Sequence, residues 1–367
     1  MTGNCIGKDF VVTSFGESHG KCVGTIIDGC PAGLPLSEDD IQKELNRRIP
    51  EKPEIVSARR EQDKVELLSG IFEGKTTGAP ICGLVWNKDV DSEEYHRIKD
   101  KPRPGHADYP ARIKYGGFND YRGGGRFSGR ITVSFIIAGA IAKKLLQLMN
   151  IEVLAYTLQI DGVQTKKDLT LDEIHRNTYK TKVRSPDLEK ATAMQEAILK
   201  AKNENDSLGG IVECTAVNLP PGIGEPIFNS LEGDIAKMVF SIPAVKGVEF
   251  GIGFKSSQLR GSENNDPYAI KDRKVVTITN YAGGVLGGIS TGMPLVLRAA
   301  IKPTPSISKE QKTIDLSTME ETTIKIKGRH DPCIVPKAVP VIESAVAIVL
   351  TDHMIQSGII PKVLQET

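Results

Sequence analysis

The chain has 367 residues, with Lys+Arg 47 against Asp+Glu 46, 39% hydrophobic and 5% aromatic. That length accommodates one large domain or two ordinary ones, with a core built mainly from aliphatic side chains. Balanced charge and few aromatics exclude a general pull toward nucleic acid or anionic membrane, so any anion site must be a local cluster.

The N-terminal stretch FVVTSFGESHGKCVGTIIDG predicts a strand from Val11, a polar loop, and a strand over Val23 to Ile27. His19 stands in that loop beside Glu17 and Ser18, at the ends of two strands, where chemistry is commonly placed. Ser37 reads as the N-cap of a helix through about Arg48, whose first turn is acidic. Arg47, Arg48, Arg59 and Arg60 follow closely and could collect negative groups or form a solvated face. Strands are predicted over Val65 to Leu68 and Ile81 to Trp86. Between them, Gly70 to Thr76 imitates a phosphate-binding P-loop, but Ser69 stands where the pattern needs glycine. A nucleoside triphosphatase is rejected on that ground. No GxGxxG lies between a strand and a helix, so a Rossmann dehydrogenase is also unsupported.

The chain is organised around Arg103 to Asn150. A glycine- and arginine-rich segment without helical or strand period, RPGHADYPARIKYGGFNDYRGGGRFSGR, feeds an apolar helix containing Ala138, Gly139, Ala140 and Ala142. Arg126, Ser128 and Arg130 stand where its first turn begins, a placement suited to an anion at a helix N-terminus. The longest apolar run, Ile131 to Ala142, is too short to span a bilayer. Further strands are predicted over Ile151 to Ile160, Ile211 to Leu219 and Pro294 to Ile301, and a helix over Pro186 to Asn203. The 36 glycines exceed the usual share of roughly 7%. The doublets Gly283-Gly284 and Gly287-Gly288 imply close backbone approach to a strand or a flat ligand. Lys302 to Ser306 carries a lysine and hydroxyls suited to phosphate, and Arg329, His330 and Asp331 form a knot of ionisable groups before a last helix. Asp331 held near Arg329 would stay an anion, available as a base.

Six cysteines are scattered without CxxC spacing and no signal peptide precedes them. Reduced thiols in a soluble, cytoplasmic protein are expected, and a zinc site is not. Two echoes lie about half a chain apart. DGCPAGLPLSEDDIQKEL resembles NLPPGIGEPIFNSLEGDIAKMV, and the apolar helices Ile131–Met149 and Ala338–Met354 each follow an arginine-containing loop. They predict one domain over residues 1–367 with pseudo-two-fold internal similarity.

Seven motifs then occur in order across nearly the whole chain: GESHG, RPGHADY, RGGGRFS, AVKGVE, NYAGGVLGGIS, KPTPS and KGRHDPC. Together they resemble the chorismate synthase family. The resemblance implies an α/β (α+β) fold, a β-α-β sandwich with central long helices between two antiparallel sheets, assembled as a homotetramer. It implies a carbon–oxygen lyase that removes phosphate from 5-enolpyruvylshikimate 3-phosphate with anti geometry, giving chorismate in the shikimate pathway of aromatic amino acid biosynthesis. Reduced FMN is the implied cofactor, supplied by a separate flavin reductase or other external NAD(P)H-dependent system. By position, the resemblance makes His19 the acid for the leaving phosphate, His106 the partner of the reduced flavin, and Asp331 the carboxylate that helps remove the C6 proton. Ser18, Arg48, Arg60, Arg103, Arg130 and Arg329 would hold substrate. Arg126, Phe127, Ser128, Pro243, Ala244, Gly287, Arg329 and the loop Lys302, Pro303, Thr304, Pro305, Ser306 would hold flavin. Two positions depart from the family pattern: Glu54 replaces a common arginine, with Arg59 or Arg60 to compensate, and Pro243 replaces an amide side chain. The competing readings are a non-catalytic flavin- or anion-binding module on the same scaffold, and a nucleic-acid-binding protein. The latter is disfavoured by the balanced charge.

Overall fold

The computed structural model describes residues 3–48, 63–88, 91–326 and 330–365. Its frame is two five-stranded antiparallel sheets. The first comprises β1 (Cys5–Ile6), β2 (Val11–Gly16), β3 (Cys22–Asp28), β4 (Val65–Ser69) and β5 (Ile81–Trp86), in the order β1-β2-β3-β5-β4. The second comprises β6 (Glu152–Ile160), β7 (Val163–Gln164), β8 (Gly210–Val217), β9 (Val245–Phe250) and β10 (Leu295–Ile301), in the order β7-β6-β8-β10-β9. Each sheet turns one face to the core, so its strands alternate. In β10, Leu295, Leu297, Ala299 and Ile301 are buried, while Val296, Arg298 and Ala300 face outward.

Between the sheets lie two long helices, α2 (Val133–Leu148) and α4 (Val335–Gln356). A helix apolar on every side must be buried on every side; within α4 only Lys337 and Gln356 escape burial. Both helical segments are long and apolar enough to cross a membrane, but 78% of one and all of the other is buried in the sandwich. The small residues of α2 explain how close the helices come. A Cβ on Gly139 would lie 2.2 Å from the Cβ of Ser344. Two buried acids fasten the layers. Glu343 of α4 accepts from Lys143 Nζ at 2.7 Å and from the Ala155 amide at 2.9 Å. Asp352 accepts from the amides of Lys8, Asp9 and Phe10 at 3.0, 2.8 and 2.8 Å.

Two further helices complete a repeated plan: α1 (Glu38–Arg48) packs on α2, and α3 (Leu231–Phe240) packs on α4. In chain order β2, β3, α1, β4, β5, α2 corresponds to β6, β8, α3, β9, β10, α4, and the two sheets have the same neighbour order. The paired proline–glycine segments noted in the sequence lead into the equivalent helices α1 and α3. One apolar core runs through both halves, from Phe10 to Ile360.

The P-loop imitation is a hairpin, Ile71–Phe72 against Lys75–Thr76. Its Thr76 hydroxyl accepts from the Leu34 amide and donates to the Pro31 carbonyl, so it serves the fold. The helix expected from Pro186 starts at Leu188, because the Asp187 side chain caps it. All six cysteines are free thiols. A 3-10 turn, Gly129–Thr132, precedes α2, and Ser128 Oγ accepts from the Arg130 amide.

Candidate active site

The loop between β2 and β3 carries Ser18 and His19, respectively 0% and 7% exposed. It is held from outside by Asn87, just after β5. The Asn87 side-chain amide donates to the carbonyls of Glu17 and Gly20 at 3.0 and 2.9 Å, and its Oδ1 accepts from Arg130 Nε at 3.0 Å. His19 Nδ1 lies 2.8 Å from Ser92 Oγ, and the His19 ring meets Tyr95 edge-on at 5.2 Å.

The triple glycine brings the second histidine to the first. Gly123, Gly124 and Gly125 have φ of 59°, 82° and 51°, a left-handed run that L side chains resist. A Cβ on Gly123 would lie 2.2 Å from His19 Cδ2 and 2.8 Å from Ser18 Oγ. A Cβ on Gly124 would lie 3.2 Å from His106 Nε2 and 3.7 Å from Arg103 Nη2. Adjacent residues of one loop thus seat both imidazoles.

Around His106 the charged groups are closely paired. Asp108 Oδ2 accepts from Arg103 Nε at 2.8 Å and Oδ1 from Nη2 at 2.8 Å, while His106 Nδ1 lies 2.6 Å from Asp108 Oδ1. Burial pushes the Asp108 carboxyl up, but the hydrogen bonds and charges of Arg103 and His106 outweigh it and hold the group well below the usual carboxylate range. Arg103 also donates to Ser306 Oγ at 3.1 Å and lies over Tyr95 at 5.5 Å, joining the His19 neighbourhood to the Lys302–Ser306 loop. Lys302 Nζ donates to the Gly105 carbonyl, and its amide donates to Ala244 at 2.9 Å. Burial and the charge of Lys246 lower the Lys302 pKa. Next to this cluster, Arg48 and Arg130 share the buried Asp63: Arg48 Nη1 lies 3.3 Å from Oδ2, and Arg130 Nη1 bonds Oδ1.

Other expected residues are placed differently. Asp331 pairs with Lys337 Nζ at 2.6 Å, at the foot of α4. Its loop joins the cluster through Ser207 and Leu208: Ser207 Oγ donates to the Thr304 carbonyl at 2.7 Å, and the Leu208 amide donates to Pro332 at 2.8 Å. Arg126 is turned toward β2, with Nη1 donating to the Gly16 carbonyl at 3.0 Å and Nη2 to Asn4 Oδ1 at 2.9 Å. Phe127 is half-buried beside it. Pro243 and Ala244 form the turn into β9, Ala244 with φ of 74°. Gly287 sits at the tip of the hairpin Val285–Leu286/Ile289–Ser290, whose hydrogen bonds run to Gly222, Ile223 and Leu231. Arg60, Arg329 and the departure at Glu54 lie outside the described residues.

Sequence reasoning assigned no role to Asp63, Asn87, Ser92, Tyr95 or Asp108. Only Asp108 carried a signal, two residues beyond His106 in the same motif. The fit of the site to an anionic cofactor or ester rests on two orphans. Ser18 Oγ and Thr304 Oγ1 are buried without a hydrogen-bond partner among the described residues, and each stands in a loop of this cluster.

A family model described as chorismate synthase matches residues 10–355. A chorismate synthase of Korarchaeum cryptofilum is 55% identical over 97% of this chain and 99% of its own. One of Dehalococcoides mccartyi is 54% identical over 99% of this chain and 100% of its own. A crystal structure of chorismate synthase superposes with a TM-score of 0.76 at 30% identity, covering 96% of this chain and 93% of that one. With a family model matched over residues 10–355 and relatives matched end to end, this chain belongs to the chorismate synthase family.

Proposed function

We propose that the cluster converts 5-enolpyruvylshikimate 3-phosphate to chorismate by anti-1,4-elimination, as a carbon–oxygen lyase dependent on reduced FMN. The observation that carries this reading is the seating of His19 and His106 by the neighbouring Gly123 and Gly124, with Arg103 and Ser306 alongside. The substrate class has one phosphate and two carboxylates, which calls for several guanidinium groups. Arg48, Arg103 and Arg130 supply them, with Arg60 and Arg329 as further contributors. Arg48 and Arg130 share one aspartate, so the pair keeps net positive charge while remaining ordered.

The C3–O bond breaks with its electron pair leaving on phosphate, a poor leaving group unless protonated or paired with cations. His19 would donate that proton, with Ser92 holding its Nδ1 and Ser18 adding a hydroxyl. The C6 hydrogen departs as a proton to Asp331, which Lys337 orients. His106 would exchange a proton with the cofactor through Nε2. Pro243, Ala244 and Lys302 to Ser306 would hold the cofactor, with Thr304 Oγ1 offering a hydroxyl. Arg126, Phe127, Ser128 and Gly287 are further proposed flavin contacts. Reduced FMN, when bound, supplies transient electron density to the breaking bond and regains it, without net redox change.

The protein acts as one catalytic domain over residues 1–367, cytoplasmic, taking reduced FMN from a separate NAD(P)H-dependent reductase. The exposed apolar hairpin bearing Tyr268, Ile270 and Val275, 70%, 74% and 66% exposed, supports assembly as a homotetramer. The test is an anaerobic assay with the substrate ester and dithionite-reduced FMN, following phosphate release and chorismate absorbance. Folded protein that releases no phosphate would remove the lyase reading.

A further inference from the structure

We propose that Asp108 is the positioning residue for His106: it fixes the imidazole with its proton on Nδ1, presents Nε2 to the ligand, and neutralises the Arg103 guanidinium packed against the ring. The inference rests on the reading of the site above.

An ionised carboxylate only accepts hydrogen bonds, and a guanidinium only donates them. Asp108 Oδ1 lies 2.6 Å from His106 Nδ1 and 2.8 Å from Arg103 Nη2, and Nη2 itself lies 3.1 Å from Nδ1. Were Nδ1 a bare acceptor, its lone pair would face a carboxylate oxygen at 2.6 Å, two acceptors in contact with no proton between them. With Nδ1 protonated, both donors converge on one oxygen, and the short Nη2–Nδ1 separation follows from their shared acceptor. The neutral imidazole is then the Nδ1–H tautomer, and Nε2 is the atom that meets the ligand. Nε2 is also the atom seated at Gly124, where a Cβ would stand 3.2 Å away.

Asp108 does more than a neutral residue could. Its Oδ2 accepts from both the Arg103 amide and Arg103 Nε, at 3.0 and 2.8 Å, so one carboxylate gathers four donors. An asparagine offers one acceptor oxygen and an NH2 group. Whichever way it turned, that NH2 would face either the Arg103 donors or Nδ1. Facing Nδ1, it would donate to it and move the imidazole proton to Nε2; facing Arg103, it would break the pair.

The experiment reads the tautomer directly, by ¹⁵N-resolved NMR of histidine-labelled protein without substrate, at alkaline pH, with His106→Asn identifying the signal. Wild type is expected to show the Nδ1–H pattern at His106, and Asp108→Asn the Nε2–H pattern or a mixture. A wild-type Nε2–H pattern overturns the proposal, and this measurement needs no variant of Asp108 to fold. In turnover, Asp108→Asn is expected to lower kcat roughly 10²–10⁴-fold, the range general acid–base groups supply. Adding His106→Ala to it should cost little more, since the two residues act as one unit. A melting-verified Asp108→Asn with unchanged His106 tautomer and undiminished kcat also overturns it. Because the tautomer is read without turnover, a failed phosphate-release assay would sink the lyase reading while leaving this one to be judged on its own signal.

Discussion

Replacing Gly123 by alanine tests the seating of the two histidines most sharply. The new Cβ would lie 2.2 Å from His19 Cδ2 and 2.5 Å from Nε2, whereas ordinary contact begins at 3.4 Å, so the ring must move by about 1.2 Å. Misplacement of a catalytic group by about 1 Å can cost about 10²-fold in rate. The backbone adds a second, separable cost. Gly123 has φ of 59°, where an L residue loses about 1–2 kcal/mol. The same backbone cost applies to Gly124→Ala, whose φ is 82°, but its Cβ would stand 3.2 Å from His106 Nε2 and require a shift of only a few tenths of an ångström. The two variants should therefore lose similar stability in urea titrations. Gly123→Ala should lose about 10²-fold or more in kcat for phosphate release, and Gly124→Ala clearly less. Equal kcat losses, or a folded Gly123→Ala with wild-type kcat, would show that the glycine run is a turn requirement and does not seat His19.

In the core, Lys143→Met should destabilise by about 3–5 kcal/mol, because it leaves Glu343, 2% exposed, without its main cation. Adding Glu343→Leu should recover much of that loss in chemical denaturation, apart from the Glu44 and Ala155 amide partners left behind. Asp352→Ala should cost at least about 2 kcal/mol, since three backbone amides of the N-terminal loop lose a charged acceptor, and early proteolysis should localise to that loop. Asp108 has a folded-state pKa below its unfolded one. Its contribution is complete above about pH 4, the unfolded aspartate value, and is lost as pH falls through the folded value; Asp108→Asn should flatten the acid limb of stability against pH.

Seven of the ten strands in the two sheets were legible, because β-branched runs are bounded by glycine and proline: Ile81–Trp86 is found as predicted, and Glu152–Ile160 lies within one residue, whereas Val245–Phe250 was not foreseen. The central helices and the duplicated plan were legible as apolar runs preceded by similar loops. The short helix Asp108–Lys114 was not, since it holds Pro110 and rests on contacts of Arg103 and Asp108 rather than on period. Nor was the hairpin Gln311–Asp315/Glu320–Ile324, whose strands are polar because they flank the core without entering it. The residues named for chemistry stood in motifs and could be read from the chain. Those that hold them could not. Asp63, Asn87, Ser92 and Tyr95 gain meaning only from partners tens of residues away, which no local pattern encodes.

That division has an electrostatic logic. Lys+Arg 47 and Asp+Glu 46 nearly cancel over the whole chain, yet the site must hold a trianionic ester. Crowding bare guanidinium groups in a half-buried cleft would oppose folding through mutual repulsion and desolvation. Here the positive groups are built around buried or half-buried acids: Asp63 between Arg48 and Arg130, and Asp108 between Arg103 and His106. Asp63 orders two guanidinium groups and cancels only part of their charge, while Asp108 orders one guanidinium and one imidazole. Asp63 thus carries a prediction of its own. Asp63→Asn raises the net positive charge of the cleft, so simple attraction would tighten phosphate binding. If ordering matters more, KM for the ester rises despite the added charge, and the salt dependence of KM steepens because the loosened arginines are better exposed to screening ions. A lower KM in Asp63→Asn would show that the acid merely dilutes the field, and that the arginines hold their places without it.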